Sequence, residues 1–139
     1  MKSPRSGLPL PHAFPFLLLD RVVALQTGSS AEAVKRLSFD DPLLDGSGHL
    51  PTILLAEAMA QCAGVAFGGD LGASCVLAKI DRFRSRKRVD GGRDLNVRVT
   101  LVRTFGTTVK ARGIVRSNGR IVAAGDVVLQ LQTGAQRDG

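Results

Sequence analysis

Apolar and polar positions divide the chain into three regimes with different periods. Residues 52–67 (TILLAEAMAQCAGVAF) are apolar or small at almost every position, too long for a strand and shorter than the roughly 20 residues a membrane span needs, so they predict a helix wrapped by protein on all sides. Pro51 stands where a helix begins and Gly68-Gly69 where it must stop. Downstream the period becomes two: Leu95, Val97, Val99 and Leu101 alternate with Asn96, Arg98 and Thr100, as in a strand with one covered face. Strands are predicted at 74–87, 94–103, 107–116 and 120–132, the last two joined by Ser117-Asn118-Gly119, where Asn-Gly is a strong hairpin signal. Upstream, two strands are predicted at 16–26 and 31–39 around the turn at 27–30. The apolar run and the β-branched Val22-Val23 suggest a buried position for the first, and residues 40–50 read as a loop.

Two strands, one apolar helix and about four further strands in an antiparallel meander define an α+β layer in which the sheet curls around the helix. Residues 1–7 and 133–139 are expected to be tails around a single domain at 8–132. One sheet face and one edge still need cover, which predicts a homodimer or higher oligomer.

Within the apolar helix stands one formal charge, Glu57, with Gln61 one turn later on the same face. A carboxylate among apolar neighbours is costly unless it is paired or kept protonated, so Glu57 is a candidate functional group. The alternative is that Glu57 and Gln61 satisfy each other.

Composition narrows the classes. Net charge is +7, and Arg82, Arg84, Arg86, Lys87 and Arg88 are clustered, a pattern that attracts anionic partners or else forms a solvated strand edge. The chain has no Trp and no Tyr to stack bases, which argues against nucleic acid. The two cysteines, Cys62 and Cys75, form no CxxC pair and have no histidine at ligand spacing, so buried thiols are expected and no metal site. No segment reads as a signal peptide or membrane span, and a cytoplasmic location is expected.

Three motifs, in order and correctly spaced, carry a resemblance. Residues 10–22 (LPHAFPFLLLDRV), Glu57-Ala58-Met59-Ala60-Gln61, and Ile80-Asp81-Arg82-Phe83-Arg84 followed by Gly92-Arg93-Asp94 resemble the hot-dog-fold β-hydroxyacyl-acyl-carrier-protein dehydratases. The loop before the helix is shorter than that family's, in a form similar to the divergent aryl-polyene and polyketide-cluster branch, and with a gap there His49 takes the place of the family's histidine.

The resemblance implies dehydration of 3-hydroxyacyl thioesters on acyl carrier protein, with Glu57 and His49 as the catalytic pair drawn from different subunits of a dimer. It also implies a substrate that brings its own phosphopantetheine, with no other cofactor, and substrate contacts from Gln61, Pro51 and Thr52 at the helix start. His12 is then structural, and Asp45 is a second candidate base or a turn residue. Arg82, Arg84 and Arg86, on one strand face by alternation, would dock the acidic carrier. Two other readings stay open: a catalytically weak partner subunit of an active hot-dog dehydratase, giving a heterodimer, and an acyl-CoA thioesterase.

Overall fold

The computed structural model describes residues 18–68 and 75–131. The expected tails, the opening segment with His12 and the Cys75 side chain lie outside the described residues. Seven elements follow one another: β1 (Arg21–Gln26), β2 (Ser30–Arg36), α1 (Thr52–Phe67), β3 (Cys75–Ser85), β4 (Asp94–Phe105), β5 (Thr108–Ser117) and β6 (Arg120–Leu131). The strands make one antiparallel sheet in the order β1-β2-β4-β5-β6-β3.

Helix α1 coincides with the apolar run. Pro51, with φ of −57°, sets its first turn, and Gly68, at φ of 132°, ends it while its N–H donates to Val65 O at 3.0 Å. From Leu55 to Ala66 every residue except Glu57 is buried. The sheet supplies the covering face by strict alternation: Leu95, Val97 and Val99 of β4, Val109, Ala111 and Val115 of β5, Ala123, Val127 and Leu129 of β6. Approach is closest at Gly113, where an added Cβ would lie 2.8 Å from Met59 Sδ. Cys62 belongs to this core, and burial pushes its thiol up to about 12, so it packs rather than reacts.

Three expectations change. Among the described residues β1 begins only at Arg21, with 18–20 outside it and residues 16 and 17 of the expected strand outside the described residues, and it is mostly exposed because it forms the outer edge of the sheet, with Val23 and Leu25 uncovered. β2 ends at Arg36 instead of reaching residue 39, because Leu37 N–H turns to Arg93 O and Phe39 swings out to 85% exposure. The last four strands are not a simple meander: β4, β5 and β6 are, but β3 pairs with β6 at the far edge. The β3–β4 connection crosses the end of the sheet, where Val89 O accepts from Leu50 N–H and Gly91 N–H donates to Gly48 O, and this crossing delivers β4 beside β2.

Strand β3 also carries a bulge between Asp81 and Arg84, with Arg82 at φ of 51°. Gly125 of β6 makes room for it, since an added Cβ would stand 2.6 Å from Phe83 Cα, a backbone atom that cannot step aside. Gly125→Ala is therefore expected to cost about 1–3 kcal/mol. Urea unfolding checks this, and an unchanged midpoint would show that the bulge relaxes freely.

Candidate active site

Glu57 sits one turn into α1, between the buried Ala56 and Ala58 and itself only partly exposed. Burial alone pushes its carboxyl up to about 7, and no hydrogen bond or ion pair to it forms among the described residues. Gln61, one turn on, does not pair with it as the alternative supposed: its Oε1 accepts from Leu18 N–H at 2.9 Å and ties the chain entering β1 to the helix. A partly buried carboxyl that remains protonated near neutral pH can give up a proton to a leaving hydroxyl. At the start of the helix Pro51 offers no side-chain cap, no acidic residue occupies the first turn, and Thr52 and Ile53 are exposed, so this end is open to a ligand oxygen.

The short loop before the helix is organised by Asp45. Its Oδ1 accepts from Ser47 N–H at 2.8 Å and His49 N–H at 3.1 Å, and its own N–H donates to His49 O at 2.7 Å. The His49 and Ser47 amides hold the Asp45 carboxyl below its ordinary value. Asp45 is thus the turn residue, and a carboxylate so stabilised is a weak base. The turn presents His49, which also bridges to Asp90 through the backbone. Its Nδ1 lies 2.7 Å from Asp90 Oδ1. Since a carboxylate only accepts, Nδ1 carries the proton and Nε2 is left with the free lone pair.

Asp90 escaped the sequence reading, because a lone Asp in Val89-Asp90-Gly91-Gly92 has no periodicity or motif to mark it. A buried acid, Asp126 of β6, also went unnoticed. It accepts from Arg112 Nε at 3.0 Å and Arg82 Nη2 at 2.8 Å on the outer sheet face, and Arg112 foremost keeps its carboxyl ionised below the ordinary range. This corrects the expectation of one arginine face: the bulge breaks the alternation at Arg82 and commits its guanidinium to Asp126, while Arg84 and Arg86 remain exposed and Arg86 lies beyond the end of β3.

Beside α1, an apolar crevice among Leu18, Leu37, Leu43, Leu50 and Leu54 has about 10 Å³ of open volume. That is about one water's worth and cannot hold an acyl chain. Among the described residues no group of three or more His, Cys, Asp or Glu side chains could hold a metal ion. No helix of the described residues is long and apolar enough to cross a membrane.

A curled antiparallel sheet closed on one central helix that carries a lone carboxyl defines a hot-dog-fold protein of α+β class. Residues 10–132 match the family model described as a FabA-like domain. The 3-hydroxyacyl-(acyl-carrier-protein) dehydratase FabZ of Oceanobacillus iheyensis is 30% identical over 130 residues, covering 88% of this chain and 93% of that protein. The enzyme of the same name from Caldanaerobacter subterraneus is 33% identical over 129 residues, covering 86% and 89%. Among solved structures, the dehydratase heterocomplex ApeI:P of Xenorhabdus doucetiae superposes with a TM-score of 0.77 at 22% identity, covering 93% of this chain and 91% of that one. The chain belongs to the FabA-like domain family, the hot-dog dehydratase family that its sequence motifs resemble.

Proposed function

We propose that this protein removes water from 3-hydroxyacyl thioesters presented on acyl carrier protein. The observation that carries the reading is Glu57: a carboxyl on the central helix, with no partner among the described residues, that holds its proton to about pH 7 through burial. The FabZ dehydratases, similar over most of their length, support it.

In this reading His49 Nε2, with Nδ1 held by Asp90, takes the proton from C2 of the acyl chain. Backbone N–H groups at the open start of α1, near Pro51 and Thr52, meet the negative charge that develops on the thioester oxygen. Glu57 gives its proton to the C3 hydroxyl, the C3–O bond breaks, C2=C3 forms and water departs. Proton transfer from the His49 imidazolium back to the Glu57 carboxylate, through solvent, resets the pair. No external oxidant or metal enters this balance, and the pantetheine arm arrives with the substrate.

His49 acts together with Glu57 of the partner subunit in this scheme, so the site needs a dimer. Support comes from the crevice beside α1, too small for an acyl chain within one subunit, and from the uncovered apolar residues Val23 and Leu25 on the edge strand. The exposed Arg84 and Arg86 are the surface proposed to meet the acidic carrier protein, with Arg82 held back by Asp126.

A turnover assay with 3-hydroxyacyl carrier protein, run on material whose mass is established by sedimentation, tests the reading. The expected result is enoyl thioester formed by an oligomer of this chain alone. Activity that appears only on addition of a second hot-dog dehydratase subunit would transfer the role to a heteromeric partner, the arrangement named for the Xenorhabdus doucetiae complex. Release of free thiol in place of enoyl product would make the protein a thioesterase.

A further inference from the structure

Where β2 gives way to the loop before α1, residues 38–44 fold over the β3–β4 connection with almost no clearance. A Cβ on Gly91 would stand 2.7 Å from Leu44 Cδ1, 2.8 Å from Ser38 O and 2.9 Å from Phe39 Cα. One on Gly92 would stand 2.5 Å from Cζ, 2.6 Å from Cε1 and 2.9 Å from Cε2 of the Phe39 ring. Only glycine fits at either place, and at Gly92 the φ of 84° asks for it as well. The far end of the ring thus rests on Gly92, while the rest stays in water and leaves Phe39 85% exposed. A side chain so exposed gains little from burial, so the hydrophobic effect alone does not account for its placement.

The connection beneath the ring is the one that carries Asp90. Gly92 N–H donates to Leu37 O at 2.7 Å, Gly91 N–H to Gly48 O at 3.3 Å, and Val89 O accepts from Leu50 N–H at 2.8 Å, which laces it both to the end of β2 and to the His49 turn. The Asp90 side chain is about half exposed, and among the described residues His49 Nδ1 is its partner. Water competes for such a carboxylate, and an exposed ion pair does little to hold its own geometry. The 2.7 Å contact is therefore set by where the backbone of residues 89–92 is held. Buried Val89 fixes one side of Asp90, but the other side is two consecutive glycines, the most permissive dipeptide a chain can use, and it needs an outside restraint. Phe39 and Leu44 supply it.

We infer that Phe39 is a positioning residue for the His49 pair: its ring, laid on Gly92, holds the connection so that Asp90 meets His49 Nδ1, which keeps the proton on Nδ1 and the lone pair on Nε2. It acts through Asp90 and not on a substrate. Without the ring, Gly92 regains its freedom and Asp90 loses its fixed place against the imidazole. That the resulting tautomer serves dehydration rests on the dehydratase reading; the coupling of Phe39 to the tautomer does not.

Nuclear magnetic resonance of the full chain, labelled with nitrogen-15 at histidine, reads this coupling without turnover. At alkaline pH the ring signals that vanish in His49→Gln should show the Nδ1–H tautomer in the parent and a mixture of both tautomers in Phe39→Ala. The position is exposed, so Phe39→Ala should melt close to the parent. Phe39→Met, an apolar side chain of similar reach, should restore much of the single tautomer. Gly92→Ala, which lifts the ring from below, should give the same mixture as Phe39→Ala. In the dehydration assay Phe39→Ala should lower kcat about tenfold with KM nearly unchanged, inside the roughly hundredfold that a misplacement of about 1 Å can cost. In an Asp90→Asn background the same change should add little, because residues acting through one contact are not additive. A parent without the Nδ1–H tautomer, or a Phe39→Ala protein that keeps it, overturns the inference. So does a rise in KM at unchanged kcat, which would make Phe39 a substrate contact, or a full tenfold loss persisting in Asp90→Asn. A parent that does not dehydrate its substrate sinks the dehydratase reading and leaves the tautomer to decide the positioning, so the two proposals fail separately.

Discussion

Glu57→Gln is expected to lower the rate of dehydration by about 10²- to 10⁴-fold, the usual worth of a positioned proton donor, while the protein remains folded. Gln keeps the shape and the burial but has no proton to give a leaving hydroxyl. In the parent protein the rate should fall as pH rises through about 7, where the Glu57 carboxyl loses its proton, and that limb should vanish in the variant. Stability should move the other way. The unfolded carboxyl ionises near its ordinary 4.5, whereas the folded one holds its proton up to about 7, so the folded state binds more protons in between. Stability is therefore lost as pH climbs from about 4.5 to 7, and it stays lost above. Discounted for partial exposure, the penalty at pH 8 is on the order of 1–2 kcal/mol, and Glu57→Gln should recover it. Thermal melts of both proteins at pH 5 and pH 8 measure the difference directly. A variant that keeps its turnover, or that melts lower than the parent at pH 8, contradicts the proposed state of this carboxyl.

His49→Ala should cost a comparable factor of about 10²–10⁴ in turnover, because no other base on the loop can replace it. Asp45 is spent on backbone amides and held ionised, which makes it a poor proton acceptor. Asp90→Asn separates positioning from chemistry. An Asn side chain can still contact Nδ1, but its amide tolerates the other tautomer and no longer stabilises the imidazolium, so turnover should drop by a smaller factor than in His49→Ala. Steady-state kinetics across pH on the three proteins distinguish these outcomes. Turnover unaffected by His49→Ala would leave Glu57 as the sole proton carrier and end the two-residue mechanism.

How far the chain could be read in advance depended on how local each feature is. Helix α1 was legible to its terminal residues because an uninterrupted apolar run, a proline and a glycine all act within one turn of where they stand. The β5–β6 hairpin was legible for the same reason: Asn118 and Gly119 both adopt positive φ, 54° and 78°, which few other pairs accept. Glu57 could be singled out because a charge in an apolar helix contradicts its surroundings wherever the helix packs. The place of β3 could not be read, since its alternation is served equally well beside β4 or β6, and the choice lies in how the connection crosses the end of the sheet.

By itself, the sequence determined the kind of elements, the central helix with its lone carboxyl, the family and a surplus of positive charge. The tertiary structure decided the chemistry around them. It joined His49 to Asp90, 41 residues apart, tied Arg82 to Asp126 across the β3 bulge, and laid Phe39 over Gly92. These are pairings between strands and loops distant along the chain, set by register and by the crossing connection. Side chains that meet only after the sheet has closed carry no period, spacing or neighbour that local propensity can reveal.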